Sequence, residues 1–161
     1  MRNINKILIV GGGNIGTYFA AVCASKGYDV NIFTSKPEKY NGVLTVVDGE
    51  GNATVKGNIQ KATNDIKEAV EGCELIFVIH PAYMFSNDSK MIAPYIKPGT
   101  YIASIPGTGG AEFSFKECIE KGAILFGLQR VPAVARLVEY GKTVCVEGKR
   151  SNLLSGIYSF I

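Results

Sequence analysis

The sequence predicts a doubly wound α/β domain: a mostly parallel sheet, helices on both of its faces, and one inserted β-hairpin. Three observations carry that expectation. Apolar runs recur at residues 7–10, 30–33, 75–79, 101–105 and 123–128 without polar alternation, the pattern of strands covered on both faces. Apolar residues at helical spacing fill several of the intervals between them. Residues 44–55, by contrast, alternate and turn at Asp48-Gly-Glu-Gly51, as a β-hairpin does. With 161 residues and 47% hydrophobic content, the chain is sized for one domain with one core.

Each element has its own local signal. After the first strand, Ile15, Phe19, Val22 and Cys23 stand at i, i+4, i+7 and i+8, and Gly27 suits the C-terminal cap of that helix. Asp65 with Glu68 three residues on has the form of a capping box, opening a short helix that stops near Gly72. Longer helical stretches are expected over 82–95 and 111–121. In the last segment, 151–161, Leu153, Leu154, Ile157, Phe160 and Ile161 fall at helical spacing with no capping glycine. That predicts a division into one domain over 1–150 and, over 151–161, the start of a helix leading onto a partner surface. An apolar stripe so bare also invites association with a second copy.

Bulk properties exclude several classes of partner. The net charge of +3 is spread along the chain with no dense basic block, so neither nucleic acid nor an anionic membrane is expected. Cys23, Cys73, Cys118 and Cys145 are far apart and form no CxxC pair, which suggests buried free thiols in a reducing, cytoplasmic setting and no metal site. The first apolar run is too short for a signal peptide or a membrane span.

Chemistry concentrates where strands end. Gly11, Gly13 and Gly16 have the spacing G-x-G-x-x-G between a strand and a helix. The first glycine makes the tight turn, the second lets backbone approach a diphosphate, and the third lets helix and strand pack closely. Peptide N–H groups at the helix start, including those near Asn14 and Ile15, then face the anion. The second strand ends in Thr34-Ser35-Lys36 with no carboxylate, which suits a 2′-phosphate better than a bare 2′-hydroxyl; NADP(H) is favoured and NAD(H) left open. The third run leads into His80-Pro81-Ala82, with the chain's sole histidine either shaping the loop and touching the cofactor or acting as an acid. The fourth leads into Pro106-Gly107-Thr108-Gly109-Gly110, near where a substrate would lie. Beyond the fifth, Arg130 and Arg136 suit either a carboxylate clamp or surface ion pairs.

Taken together, GGGNIG, IHPAYMF, KPGTYIASIPGTGGAEF and LQRVPAVAR resemble the N-terminal domain of the opine dehydrogenases, the octopine and nopaline dehydrogenase family. The first half also resembles ketopantoate reductase, a relative in the wider 6-phosphogluconate dehydrogenase-like group. The resemblance implies a Rossmann-type, NAD(P)-binding fold and a reductive condensation of an amino acid with a 2-oxo acid. It implies that Gly11, Gly13, Asn14, Ile15 and Gly16 hold the pyrophosphate, Thr34 to Lys36 the adenosine ribose, and His80 to Ala82 the cofactor's other flank. Thr108 and Gly109 would border the substrate cleft. In such enzymes the catalytic histidine lies in a second, helical domain, so the catalytic residues are not assigned here, and cofactor binding without turnover is expected. A standalone module that senses NADP(H) is the alternative of another class.

Overall fold

The structure, a computed structural model, describes residues 4–158. The chain runs β1 (Lys6–Val10), α1 (Asn14–Ser25), β2 (Asp29–Phe33), β3 (Val43–Val47), β4 (Ala53–Asn58), β5 (Lys61–Thr63), α2 (Ile66–Val70) and β6 (Leu75–Val78). It continues through α3 (Phe85–Ile92), β7 (Tyr101–Ser104), α4 (Ala111–Ser114), α5 (Lys116–Glu120), β8 (Ile124–Leu128), β9 (Ala133–Glu139), β10 (Thr143–Lys149) and β11 (Ser155–Tyr158). The main sheet has the order β11-β8-β7-β6-β1-β2-β5 and is parallel except at β11.

Alternate residues of the sheet feed two cores, as a strand's period of two requires. Leu8, Val10, Ile76, Val78 and Ile102 pack against the side of α2 to α5, with Phe85 and Phe115 at its centre, ring centroids 5.4 Å apart. Ile7, Ile9, Val30 and Ile32 pack on the other side with Ala20 and Ala21 of α1. This is the Rossmann-type doubly wound arrangement expected. Helix α1 ends as Gly27 allows. Gly27 has φ +89° and donates to Ala24 O, and Tyr28 N donates to Cys23 O, the paired bonds of a Schellman cap.

The hairpin forms from β3 and β4, but it is only half of a second sheet, of order β4-β3-β10-β9. There β10 pairs with β3 in parallel, Thr143 opposite Thr45, and with β9 in antiparallel. Leu44, Val46 and Val144 of this sheet are fully buried in the same core as α1. The approach is close: a Cβ on Gly57 of β4 would overlap the carbonyl oxygen of Ala21.

Three local expectations are corrected. The helix expected over 82–95 is a 3₁₀ turn, Ala82–Met84, followed by the shorter α3, and the one expected over 111–121 divides at the fully buried Phe115. Residues 155–158, expected within a helix, form the edge strand β11 against β8, with Ile157 opposite Phe126. The open edge of β8 offers a row of unpaired backbone groups, whereas Gly156 weakens a helix that would stand alone. Phe160 and Ile161 of that stripe lie outside the described residues. Among the thiols, all free, Cys73 and Cys118 are buried, but Cys23 and Cys145 are only partly so.

Candidate functional site

At the carboxyl ends of β1, β2 and β6 a cavity of about 690 Å³ opens, lined by Gly11 to Gly13, Thr34, Ser35, His80, Pro81 and Tyr140 among others. Among the described residues no Asp or Glu lines it. The glycine bend supplies its floor. Gly11 turns at φ +112°, and a Cβ there would press on the His80 ring, 3.0 Å from Cδ2. A Cβ on Gly13 would meet nothing within 4 Å, so that position faces open space. A Cβ on Gly16 would overlap the Gly11 carbonyl oxygen, which is the close packing of helix on strand that the third glycine permits.

Helix α1 starts at Gly13 with no side-chain cap and no acidic residue in its first turn. Its first N–H groups and the positive end of its dipole are therefore available to an anion. The Asn14 side chain is engaged elsewhere: its Oδ1 accepts from Leu137 N of β9 at 2.9 Å. Ile15 packs into the core beside α1. Neither side chain is thus free for a ligand, and Asn14, Ile15 and Gly16 stand just beyond the lining residues, of which Gly13 is the last in the bend.

Two tyrosines that the sequence reading did not single out roof the bend. Tyr40 donates from Oη to Gly12 O at 3.3 Å, and Tyr140, in the β9–β10 turn, shares a 2.8 Å hydrogen bond with Thr34 Oγ1. The rings meet edge to face, centroids 5.8 Å apart. A Cβ on Gly12 would overlap the Tyr40 hydroxyl and come within 2.8 Å of that of Tyr140 and 2.9 Å of Thr34 Oγ1. Burial, reinforced by the neighbouring Tyr140, pushes the Tyr40 phenol well above its ordinary value. Thr34 is buried with its hydroxyl already engaged, Ser35 is exposed and lines the cavity, and Lys36 is exposed outside the lining with its Nζ 5.4 Å from the Tyr140 ring centroid.

His80 has a partner also not foreseen. Asp88 of α3 is fully buried, and both its oxygens face His80 Nδ1, at 3.0 and 3.1 Å. A carboxylate so buried needs such a partner. The contact fixes the imidazole's orientation beside Gly11. Pro81 lines the cavity, while Ala82 is exposed and is not among its lining residues.

The remaining candidates lie apart. Thr108 borders a separate cavity of about 420 Å³ with Ser104, Gly107, Glu112 and Gln129, whereas Gly109 is exposed outside it. Arg130 lies in the turn after β8, and Arg136 stands on β9 opposite Cys145; both are exposed and neither lines the glycine-bend cavity. Among the described residues no helix is long and apolar enough to cross a membrane, and no three His, Cys, Asp or Glu side chains cluster as metal ligands would.

Comparison with known proteins places this architecture. Residues 7–145 match the family model described as ketopantoate reductase PanE/ApbA. The chain belongs to the ketopantoate reductase family. Solved opine dehydrogenases share this Rossmann-type fold. Opine dehydrogenase of Haliotis discus hannai is 26% identical over 92% of this chain. A solved octopine dehydrogenase with NADH and L-arginine superposes with a TM-score of 0.88 at 24% identity, covering 96% of this chain and 42% of its own. Yersinopine dehydrogenase with NADP⁺ superposes with a TM-score of 0.76 at 12% identity over 96% of this chain and 41% of its own. The chain spans less than half the length of these relatives, 41% in the Haliotis enzyme.

Proposed function

We propose that this chain holds a nicotinamide dinucleotide across the glycine bend, as the nucleotide-binding part of an opine-dehydrogenase-like oxidoreductase. One observation carries this reading: the uncapped start of α1 opens, at the side-chain-free Gly13, onto a cavity without carboxylates. Gly11, Gly13 and Gly16 give the diphosphate its approach, and the N–H groups of Asn14 and Ile15 receive its charge. His80, held by Asp88, and Pro81 flank the cofactor's other end. At the adenosine end Thr34 to Lys36 favour NADP(H): no carboxylate awaits a 2′-hydroxyl, and Lys36 supplies a cation.

When bound, the dinucleotide supplies hydride to a carbon of the substrate. The opine-type reaction would reduce the imine of an amino acid and a 2-oxo acid, with Thr108, on its separate cavity, at the substrate side and the catalytic groups in the remaining length of such enzymes. A second reading, reduction of a 2-oxo acid alone, is favoured by the family model itself. Exposed Leu154 and Ile157 beside and on the edge strand support self-association there, which sedimentation equilibrium tests.

Calorimetric titration with NADPH and NADH in parallel is the decisive experiment. Tighter binding of NADPH is expected. A tenfold preference for NADH would remove the phosphate assignment, and binding of neither would remove the dinucleotide reading. A protein that joins this domain to the remaining length of such enzymes, offered a 2-oxo acid with and without an amino acid, separates the two reactions.

A further inference from the structure

We infer that Tyr140 determines specificity for the phosphorylated dinucleotide by aiming Lys36 and by occupying Thr34, an inference that rests on the NADP(H) reading of the same site. An exposed lysine on a four-carbon stem has many rotamers, few of them useful to a ligand. Here its ammonium is drawn to the face of the Tyr140 ring, 5.4 Å from the centroid. That ring is itself fixed twice, through its hydroxyl to Thr34 Oγ1 at 2.8 Å and edge to face against Tyr40 at 5.8 Å. Tyr40 is anchored in turn on the carbonyl of Gly12, inside the glycine bend.

The arrangement acts on both candidate ligands. A 2′-phosphate meets a cation already restrained against Tyr140, itself a lining residue, so less freedom is lost on binding. A bare 2′-hydroxyl meets no carboxylate, and the one hydroxyl at the buried end of β2 is already engaged by Tyr140. Selection thus has an attractive and a withholding part, both passing through a residue 104 positions from Lys36.

The test is calorimetry with NADPH and NADH on the unmodified chain and on Lys36→Met, Tyr140→Phe, Tyr140→Leu and the double variant Lys36→Met/Tyr140→Leu. Lys36→Met is expected to weaken NADPH about tenfold and to leave NADH nearly unchanged. Tyr140→Leu is expected to reduce the NADPH-to-NADH preference about two- to fivefold. Tyr140→Phe, which keeps the ring but frees Thr34, is expected to keep most of the NADPH affinity and to strengthen NADH binding, and in NADPH affinity the double variant is no worse than Lys36→Met. Equal weakening of both dinucleotides by Tyr140→Leu, or additive losses in the double variant, overturns the inference while leaving dinucleotide binding intact. An unmodified chain with no preference for NADPH overturns the phosphate reading and this inference with it. Should Tyr140→Leu fail to fold, NMR of the unmodified protein decides. Lys36 methylene protons displaced by the ring current, and displaced further by NADPH but not NADH, support the inference; unperturbed shifts refute it.

Discussion

A Cβ at Gly13 would meet nothing within 4 Å, whereas one at Gly16 would overlap the carbonyl oxygen of Gly11. The two glycines of one motif therefore fail differently. Gly13→Val is expected to melt within a few degrees of the unmodified chain and to lose dinucleotide affinity tenfold or more, about 1.4 kcal/mol, because the branched side chain stands where the diphosphate would lie. Gly16→Ala is expected to lose about 1–3 kcal/mol of stability instead, read by denaturant unfolding. Unchanged affinity in Gly13→Val would refute the pose. The thiols make a second case. Burial pushes Cys23 and Cys73 from an ordinary 9.0 up to about 11. The neutral thiol is the form the fold favours, so this contribution is complete below pH 9 and fades as pH rises through 11. Alkylation of these two, followed by mass spectrometry, should keep accelerating about tenfold per pH unit up to pH 10, not level off near 9.

Helix α2 is held at its start by Asp65, whose Oδ1 accepts from Lys67 N at 2.8 Å and Glu68 N at 3.3 Å. Asp65→Ala is expected to cost about 1 kcal/mol, or a few degrees of melting temperature, read by calorimetry. The capping box is only half made, since Glu68 accepts from Thr63 Oγ1 instead of the backbone of Asp65. Such local signals were legible because they depend on neighbours a few residues apart: the glycine bend, the Gly27 cap, the parallel strands and the hairpin all formed. What escaped depends on distance. The helical spacing of Leu153, Leu154 and Ile157 serves a strand equally well, and only the open edge of β8 decides. Nothing around Tyr140 or Asp88 names its partner, because Thr34 lies 106 residues from the one and the burial of the other exists only in the fold.

At the scale of the molecule, the second sheet both covers α1 and carries the roof of the site. Leu44 lies in that sheet, fully buried and away from the glycine-bend cavity. Leu44→Ala is expected to cost about 2–5 kcal/mol and, at temperatures where the protein still folds, to weaken dinucleotide binding as Tyr40 and Tyr140 loosen. Intact affinity in the folded variant would separate roof from sheet. The parallel pairing of β3 with β10 sets a further condition, on manufacture. Thr45 waits for Thr143, so 98 further residues must be added after Thr45 before this pairing can form, on the order of ten seconds of translation. Until then the nascent polypeptide carries its glycine bend without the Tyr140 half of its roof, and the closed site exists only once β10 has been made.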